Sequence, residues 1–323
     1  IGDKSLSKRD FKRIADPLNK FGASLSLKNG FLLYENRLKK KVDAVKKKFP
    51  YIASPSSLYE IKDKKILIWD EQGLGDTIQF SRFVIDLLKF SKNITFVVNS
   101  KLSKILANLN KEIKVCDYNN VDESKFDFQI PLCSLPKFLK LEKVEDINFY
   151  KLNIVFEKIS NTNLDPKKYN IGLSWSGNNK YFLDQYRSIS FSNFKNIFNF
   201  KEINFYKLSK DIREENAAQM DSLTNLFDMG DNSLYEISNL MNSLDLVISS
   251  DTSIIHLAGI LNIKSVLLLN YNSDWRWFDD SKSTIWYPSV KILKQNKFDN
   301  WTNVFFELEQ ILKNYISDKK KGQ

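Results

Sequence analysis

The sequence predicts an α/β protein made of two halves, each a doubly wound parallel sheet with its own helices. Three observations carry that prediction. Short apolar runs alternate with stretches of helical period along most of the 323 residues, which is the pattern of parallel strands joined by crossover helices. The alternation restarts after a polar interruption at Asn161–Pro166. A strand followed by a small-residue turn and a helix occurs once in each half, at Lys64–Phe90 and at Leu244–Leu269.

Composition narrows the class. A chain of 323 residues can hold two domains, and 42% hydrophobic with 27% charged residues and a mean hydropathy of −0.36 is globular rather than disordered. No apolar run approaches the roughly 20 residues of a spanning helix, and no signal-peptide core opens the chain, so a cytoplasmic location is expected. Cys116 and Cys133 lack the spacing of a disulfide framework or a zinc site. The net charge of +10 comes from dispersed lysines, denser only at Lys39–Lys41, Lys46–Lys48 and Lys319–Lys321. No nucleic-acid module accompanies them, so no nucleic-acid partner is expected. Peripheral contact with an anionic membrane stays open, and oligomeric state is not readable.

In chain order, Ser5–Phe21 reads as a helix interrupted by Pro17, and Gly30–Lys48 as a second helix with a charged face. Pro50 and Pro55 mark a linker. The first half then offers strand Ile66–Trp69, the Gly73–Gly75 turn and its helix, strand Ile94–Val98, helix Ser100–Asn108, and strands Ile113–Cys116 and Phe126–Ile130. After the interruption come strand Tyr169–Ser174, loop Trp175–Tyr186, helix Ser192–Ile197, strand Ile203–Leu208, helix Ser233–Asn242, strand Leu246–Ser249, helix Ser253–Leu261 and strand Ser265–Leu269. A last helix, Val304–Tyr315, precedes a frayed basic tail at Ser317–Gln323. The domains expected are thus residues 1–62, a helical segment; 63–160 and 161–300, the two Rossmann-like halves; and 301–323, the terminal helix and tail. A ligand cleft between the carboxyl ends of the two sheets is expected.

Three stretches carry chemistry. In EQGLGDTIQF, Gly73, Leu74 and Gly75 form a turn that lets backbone approach a bound group, but neither G-x-G-x-x-G nor a Walker lysine is present. Asp76 has two readings: N-cap of the helix with Gln79 reaching back, or a carboxylate that accepts a proton from a hydroxyl. In the second half, Ser250, Asp251 and Thr252 open a helix where a phosphate or sugar hydroxyl would bind, with His256, the single histidine, on the same face. A lone histidine is more often a core residue than a catalyst, and no G-x-S-x-G elbow accompanies it. In IGLSWSGNNKYFLDQYRSIS, Ser176 and Gly177 with Arg187 offer backbone N–H groups and one guanidinium to a diphosphate. Trp275 and Trp277 of DWRW are candidates for stacking on a base or sugar, with burial in a core as the plainer alternative. No paired-histidine or carboxylate metal site stands out.

Taken together, EQGLGDTIQFSRF, GLSWSGN…RSI, and LDLVISSDTSIIHLAG with DWRW and WYPS resemble the glycosyltransferase domain that bacteria attach to tetratricopeptide repeats. That domain is similar to glycosyltransferase family 9, the heptosyltransferases. The resemblance spans about Asn29 to Trp301, with NGFLLYENR similar to the end of a last repeat helix. Separately, Gly2 to about Leu33 resembles a segment of EPSP synthase and reads as a stray fragment or as an ordinary amphipathic helix. The transferase resemblance implies a GT-B fold and a nucleotide-sugar donor on the C-terminal domain. It also implies a glycan, lipid or protein acceptor on the N-terminal one, and inverting, metal-independent transfer with no cofactor. It assigns Asp76 as general base. It places Ser176, Gly177, Arg187, Ser250, Asp251, Thr252 and His256 at the donor, and Gly73–Gly75 at the acceptor or phosphate loop. Where repeat-linked relatives carry polar groups, this chain has Asn179, Tyr181, Leu183 and Gln185, so donor choice and activity are open. The alternatives are a catalytically inactive module that binds a sugar nucleotide or glycan, or a different nucleotide-dependent enzyme on the same plan.

Overall fold

The structure, a computed structural model, describes residues 48–154, 164–179, 184–209, 220–277 and 283–321. The helices expected before residue 48, and with them the segments that resemble EPSP synthase and a repeat helix, lie outside the described residues. Contacts divide the chain into two compact units: Ile1–Tyr150 with Asp274–Ser281, and Lys151–Ser273 with Lys282–Gln323. The short segment at Asp274–Ser281, read from sequence as part of the second half, therefore belongs to the first unit by its contacts.

The first unit runs β1 (Lys65–Trp69), α1 (Leu74–Phe80), α2 (Arg82–Leu87), β2 (Asn93–Val98), α3 (Ser100–Leu106), β3 (Ile113–Asp117), β4 (Phe128–Pro131) and α4 (Leu135–Phe138). Its four strands lie in the order β3-β2-β1-β4, all parallel, with Ile66 opposite both Ile94 and Phe128. Central β1 is buried from Ile66 to Trp69, as a strand covered on both faces must be. The single helix expected after the glycine turn is divided at Ser81. The Ser81 hydroxyl donates to the Ile78 carbonyl at 2.8 Å and Arg82 Nε donates to the Gln79 carbonyl at 2.9 Å, so side chains take acceptors that the helix would otherwise use.

Two buried carboxylates tie this unit together. Asp70, just past β1, accepts from the Asn99 N–H at 2.7 Å and from the Tyr118 hydroxyl, with Lys48 Nζ at 3.6 Å. Burial pushes the Tyr118 phenol up, helped by the Asp70 charge, and pulls the Lys48 ammonium down. Asp86 on α2 accepts from Lys89 Nζ at 2.9 Å, Asn148 Nδ2 at 2.9 Å and the Tyr150 hydroxyl at 2.8 Å. Burial, then the hydrogen bond to Asp86, pushes the Tyr150 phenol up to about 12.

The second unit runs β5 (Tyr169–Ser174), α5 (Asp184–Arg187), β6 (Ile203–Lys207), β7 (Leu226–Asp228), α6 (Leu234–Met241), β8 (Leu246–Ser250), α7 (Ser253–Ile260), β9 (Ser265–Leu269), β10 (Val290–Lys294) and α8 (Thr302–Lys321). Its parallel sheet has the order β10-β9-β8-β5-β6-β7. Counted along the chain, that is the Rossmann order, whose direction reverses between β5 and β8. Strands β6, β8 and β9 are buried throughout. One face is covered by Phe191, Phe194, Ile197 and Phe198, and by Val304, Phe305, Leu308 and Leu312 of α8. Phe194 meets Phe305 edge-on with ring centroids 4.8 Å apart.

Three sequence expectations are corrected here. The helix expected at Ser192–Ile197 is instead two 3₁₀ turns, Phe191–Phe194 and Ile197–Asn199, where serine and asparagine side chains bond locally and aromatic anchors dictate the path. Strands β7 and β10 were not expected, the first because three residues carry no period. The terminal helix starts at Thr302 and continues to Lys321, so the stretch read as a frayed tail is helical as far as that lysine.

Candidate functional site

In a parallel α/β sheet the carboxyl ends of the strands at the order reversal are where short turns leave space and N–H groups for a ligand. In the second unit this is where the β5 loop and the β8 turn meet, and it brings most of the expected donor residues together. Asp184, 2% exposed, is the hub. Its Oδ1 accepts from Arg187 Nε at 3.0 Å and its Oδ2 from the Ser188 hydroxyl at 2.8 Å. That hydroxyl in turn accepts the Gly177 N–H at 3.2 Å. Arg187 Nη1 donates onward to the Asp251 carbonyl at 3.3 Å, which joins the β5 loop to the β8 turn. A Cβ on Gly177 would sit 2.4 Å from Arg187 Nη2 and 2.7 Å from Asp184 Oδ1, so this packing requires glycine.

The β8 turn is organised from inside. Ser250 ends the strand fully buried, and its hydroxyl meets no partner among the described residues. Thr252 is the N-cap residue of α7 without a side-chain cap bond; its hydroxyl lies 3.2 Å from that of Ser249. His256, 4% exposed, places Nδ1 2.9 Å from the Tyr287 hydroxyl and Nε2 3.8 Å from Asp251 Oδ1. Nδ1 and the phenol share one hydrogen bond, in which the phenol is the donor when the imidazole proton sits on Nε2. Tyr287 also packs on Gly259, where an added Cβ would come within 2.4 Å of its ring. Ser176 is 8% exposed in the β5 loop. Of the four positions that leave donor choice open, Asn179 and Gln185 are exposed, and Tyr181 and Leu183 lie outside the described residues.

The glycine turn of the first unit is built differently. Gly73, not Asp76, is the N-cap of α1, in extended backbone with φ −68° and ψ 166°. Leu74 and Gly75 are the first residues of the helix, and Asp76 is its third, where its Oδ2 accepts the Gly73 N–H at 3.1 Å. Asp76 thus fills the acidic place of a capping box rather than the cap, because the helix begins three residues earlier than the aspartate pattern implies. Gln79, expected to reach back to the cap, is instead buried and turned to Arg276. Nη1 of that arginine donates to Asp76 Oδ1 and, at 3.2 Å, to Gln79 Oε1. Asp274 grips the other edge of the guanidinium at 2.8 and 3.1 Å. Trp277 is 1% exposed, so its ring faces are covered by protein and offer no open stacking surface.

Sequence reasoning missed Asp274, Arg276 and Tyr287 as site residues. The signal for the first two was present in DWRW, where charged residues sit between the tryptophans. The signal for Tyr287 lay in WYPS, which carries no periodic pattern.

No family model matches the chain, and no curated protein matches it in sequence. Solved structures do. The iron-containing dodecameric glycosyltransferase TibC from enterotoxigenic E. coli H10407 superposes with a TM-score of 0.52 at 12% identity, over 74% of this chain and 64% of that one. The family 9 glycosyl transferase from Veillonella parvula DSM 2008 superposes at 0.53 and 14% identity, over 73% of this chain and 87% of that one. TibC in complex with ADP-D-β-D-heptose is matched at 0.47 and 13% identity, over 75% and 65%. The match spans just under two thirds of the TibC chain. The chain therefore has the GT-B fold of family 9 glycosyltransferases, as the sequence resemblance implied.

Proposed function

We propose that the protein is a glycosyltransferase that moves a sugar from a nucleotide-sugar donor to an acceptor hydroxyl, with inversion and without a metal. The observation that carries this reading is the cluster at the order reversal of the second sheet, where Gly177, Ser188, Asp184, Arg187 and the Asp251 carbonyl form one hydrogen-bonded frame, with His256 Nε2 3.8 Å from Asp251 Oδ1. A guanidinium pinned beside a helix N-terminus suits the diphosphate of such a donor, whose departure leaves negative charge. The fold shared with family 9 transferases supports it. In the reaction, Asp76 takes the proton of the acceptor hydroxyl. The oxygen attacks the anomeric carbon, the bond from that carbon to the phosphate oxygen breaks, and the nucleoside diphosphate leaves.

Calorimetry with UDP, GDP, ADP and NAD tests the donor half. One nucleoside diphosphate is expected to bind more tightly than NAD, and tight NAD binding alone sinks the transferase reading. For the chemistry, Asp76→Ala is expected to slow nucleoside diphosphate release from the matching sugar nucleotide about 10²–10⁴-fold. Stability should fall by about 1 kcal/mol through the lost capping bond and by about 1.5–3 kcal/mol more through the lost charged hydrogen bond to Arg276, so turnover is compared under conditions where the variant is folded. Turnover should survive treatment with EDTA. A variant that binds the donor and turns it over at the normal rate removes Asp76 from the base role.

A further inference from the structure

We infer that Arg276 is a positioning residue of the transfer reaction, orienting Asp76 and Gln79 together; the inference rests on the reading of Asp76 as the base. Asp76 and Gln79 stand three residues apart on α1 and so share one face. A guanidinium has only N–H donors, so each partner must turn an oxygen toward it. Arg276 Nη1 takes Oδ1 of Asp76 and, at 3.2 Å, Oε1 of Gln79. The first contact sets the rotation of the carboxylate, whose Oδ2 is held at 3.1 Å by the Gly73 N–H. The second sets the amide, because with Oε1 on the guanidinium Nε2 must face the other way.

That Nε2 is buried and meets no acceptor among the described residues. Buried amide donors are nearly always satisfied, so an unmet one beside a base points to an oxygen supplied from elsewhere. In the inferred reaction that oxygen is the acceptor hydroxyl's, which takes the Gln79 Nε2 hydrogen bond once the amide is uncovered, while its proton goes to Asp76. Arg276 is itself held in place. Asp274 engages Nε at 2.8 Å and Nη2 at 3.1 Å, and the Arg276 backbone N–H meets Asp274 Oδ1 at 3.0 Å. A planar fork gripped along one edge leaves little freedom to the nitrogen that touches Asp76 and Gln79.

The test measures kcat for nucleoside diphosphate release and donor KM on the full chain. The donor is whichever of ADP-glucose, UDP-glucose and GDP-mannose the unaltered protein turns over fastest. Arg276→Gln is expected to lower kcat ten-fold or more with donor KM changed less than two-fold. In the Asp76→Asn background it should add a factor of three or less, since Arg276 acts on the same step as Asp76. A smaller loss, a KM effect, or losses that multiply in the double variant would mark Arg276 as merely structural and overturn the inference. Should Arg276→Gln not fold, Asp274→Asn keeps the guanidinium but loosens its grip. It should lower kcat with donor KM unchanged, and unaltered kcat there overturns the inference equally. Asp76→Asn at normal kcat sinks the base assignment and this inference with it, as does a chain that turns over none of the three donors. Asp76→Asn slow with Arg276→Gln unaffected sinks this inference alone.

Discussion

The turn after β1 and the turn after β8 are both strand ends that feed a helix, yet their acidic residues are secured in different ways. Asp76 keeps its carboxylate in play: one oxygen serves the Gly73 N–H and the other a guanidinium from a segment 200 residues away. Asp251 is fixed through its backbone, whose carbonyl accepts from Arg187, while its side chain faces His256 at 3.8 Å. The first arrangement suits a group that must take a proton in a set direction. The second suits a frame whose job is to hold N–H groups and positive charge around a ligand. In the second unit the carboxylate that holds the frame is Asp184, buried to 2%, whereas the side chain of Asp274 in the first remains 28% exposed.

That difference in burial gives the sharpest way to break the comparison. Asp184→Ala strips the buried partner from Arg187 and Ser188; because the Arg187 side chain is 26% exposed, the cost falls below that of a fully buried pair, to about 2–3 kcal/mol. Denaturant unfolding should show that loss, together with nucleoside diphosphate binding too weak for calorimetry. Asp274→Asn, in the more exposed pair, should cost about 1 kcal/mol or less. Equal losses at the two positions would mean that the frames do not differ as described.

A smaller effect tests the histidine. Tyr287→Phe removes one hydrogen bond from a buried imidazole, for about 1 kcal/mol of stability. If the phenol fixes the proton on Nε2, the variant should also weaken nucleoside diphosphate binding several-fold while leaving the fold intact. Gly259→Ala should disturb the same pair from the other side, because the added methyl would meet the Tyr287 ring. Unaltered affinity in Tyr287→Phe would return His256 to the role of a packed core residue.

How much of this was legible in the sequence follows from the range of each interaction. Strands such as Leu246–Ser250 and Ser265–Leu269 announce themselves as unbroken apolar runs because both faces are covered, and α7 follows from its small-residue start. The packing of Gly177 against Arg187 is nearly local, ten residues apart along the chain, so it lies within the range that spacing can reach. The Arg276 contact to Asp76 is not local in any sense, and no periodicity links two positions that far apart. The capping role of Asp76 was misplaced by three residues, since Gly73 takes the extended cap conformation without needing a side chain. Asp184 was read as part of a loop because a four-residue helix has no period to detect.

The smallest expected effect concerns the ties that hold the first unit away from its turn, where a phenol donates to a buried carboxylate. Tyr150 donates to Asp86 and titrates at about 12 in the folded protein, against about 10 for a free phenol. Because the folded value is raised, the folded state holds a proton that the unfolded state has lost between those two pH values. The stabilisation is therefore complete below pH about 10 and fades as pH rises toward about 12. The Tyr118 phenol is shifted the same way beside Asp70 and adds to the slope. Urea midpoints should accordingly fall over this window in the unaltered chain and fall less steeply in Tyr150→Phe. Parallel curves for the unaltered chain and Tyr150→Phe would show that Asp86 does not guard the phenol proton.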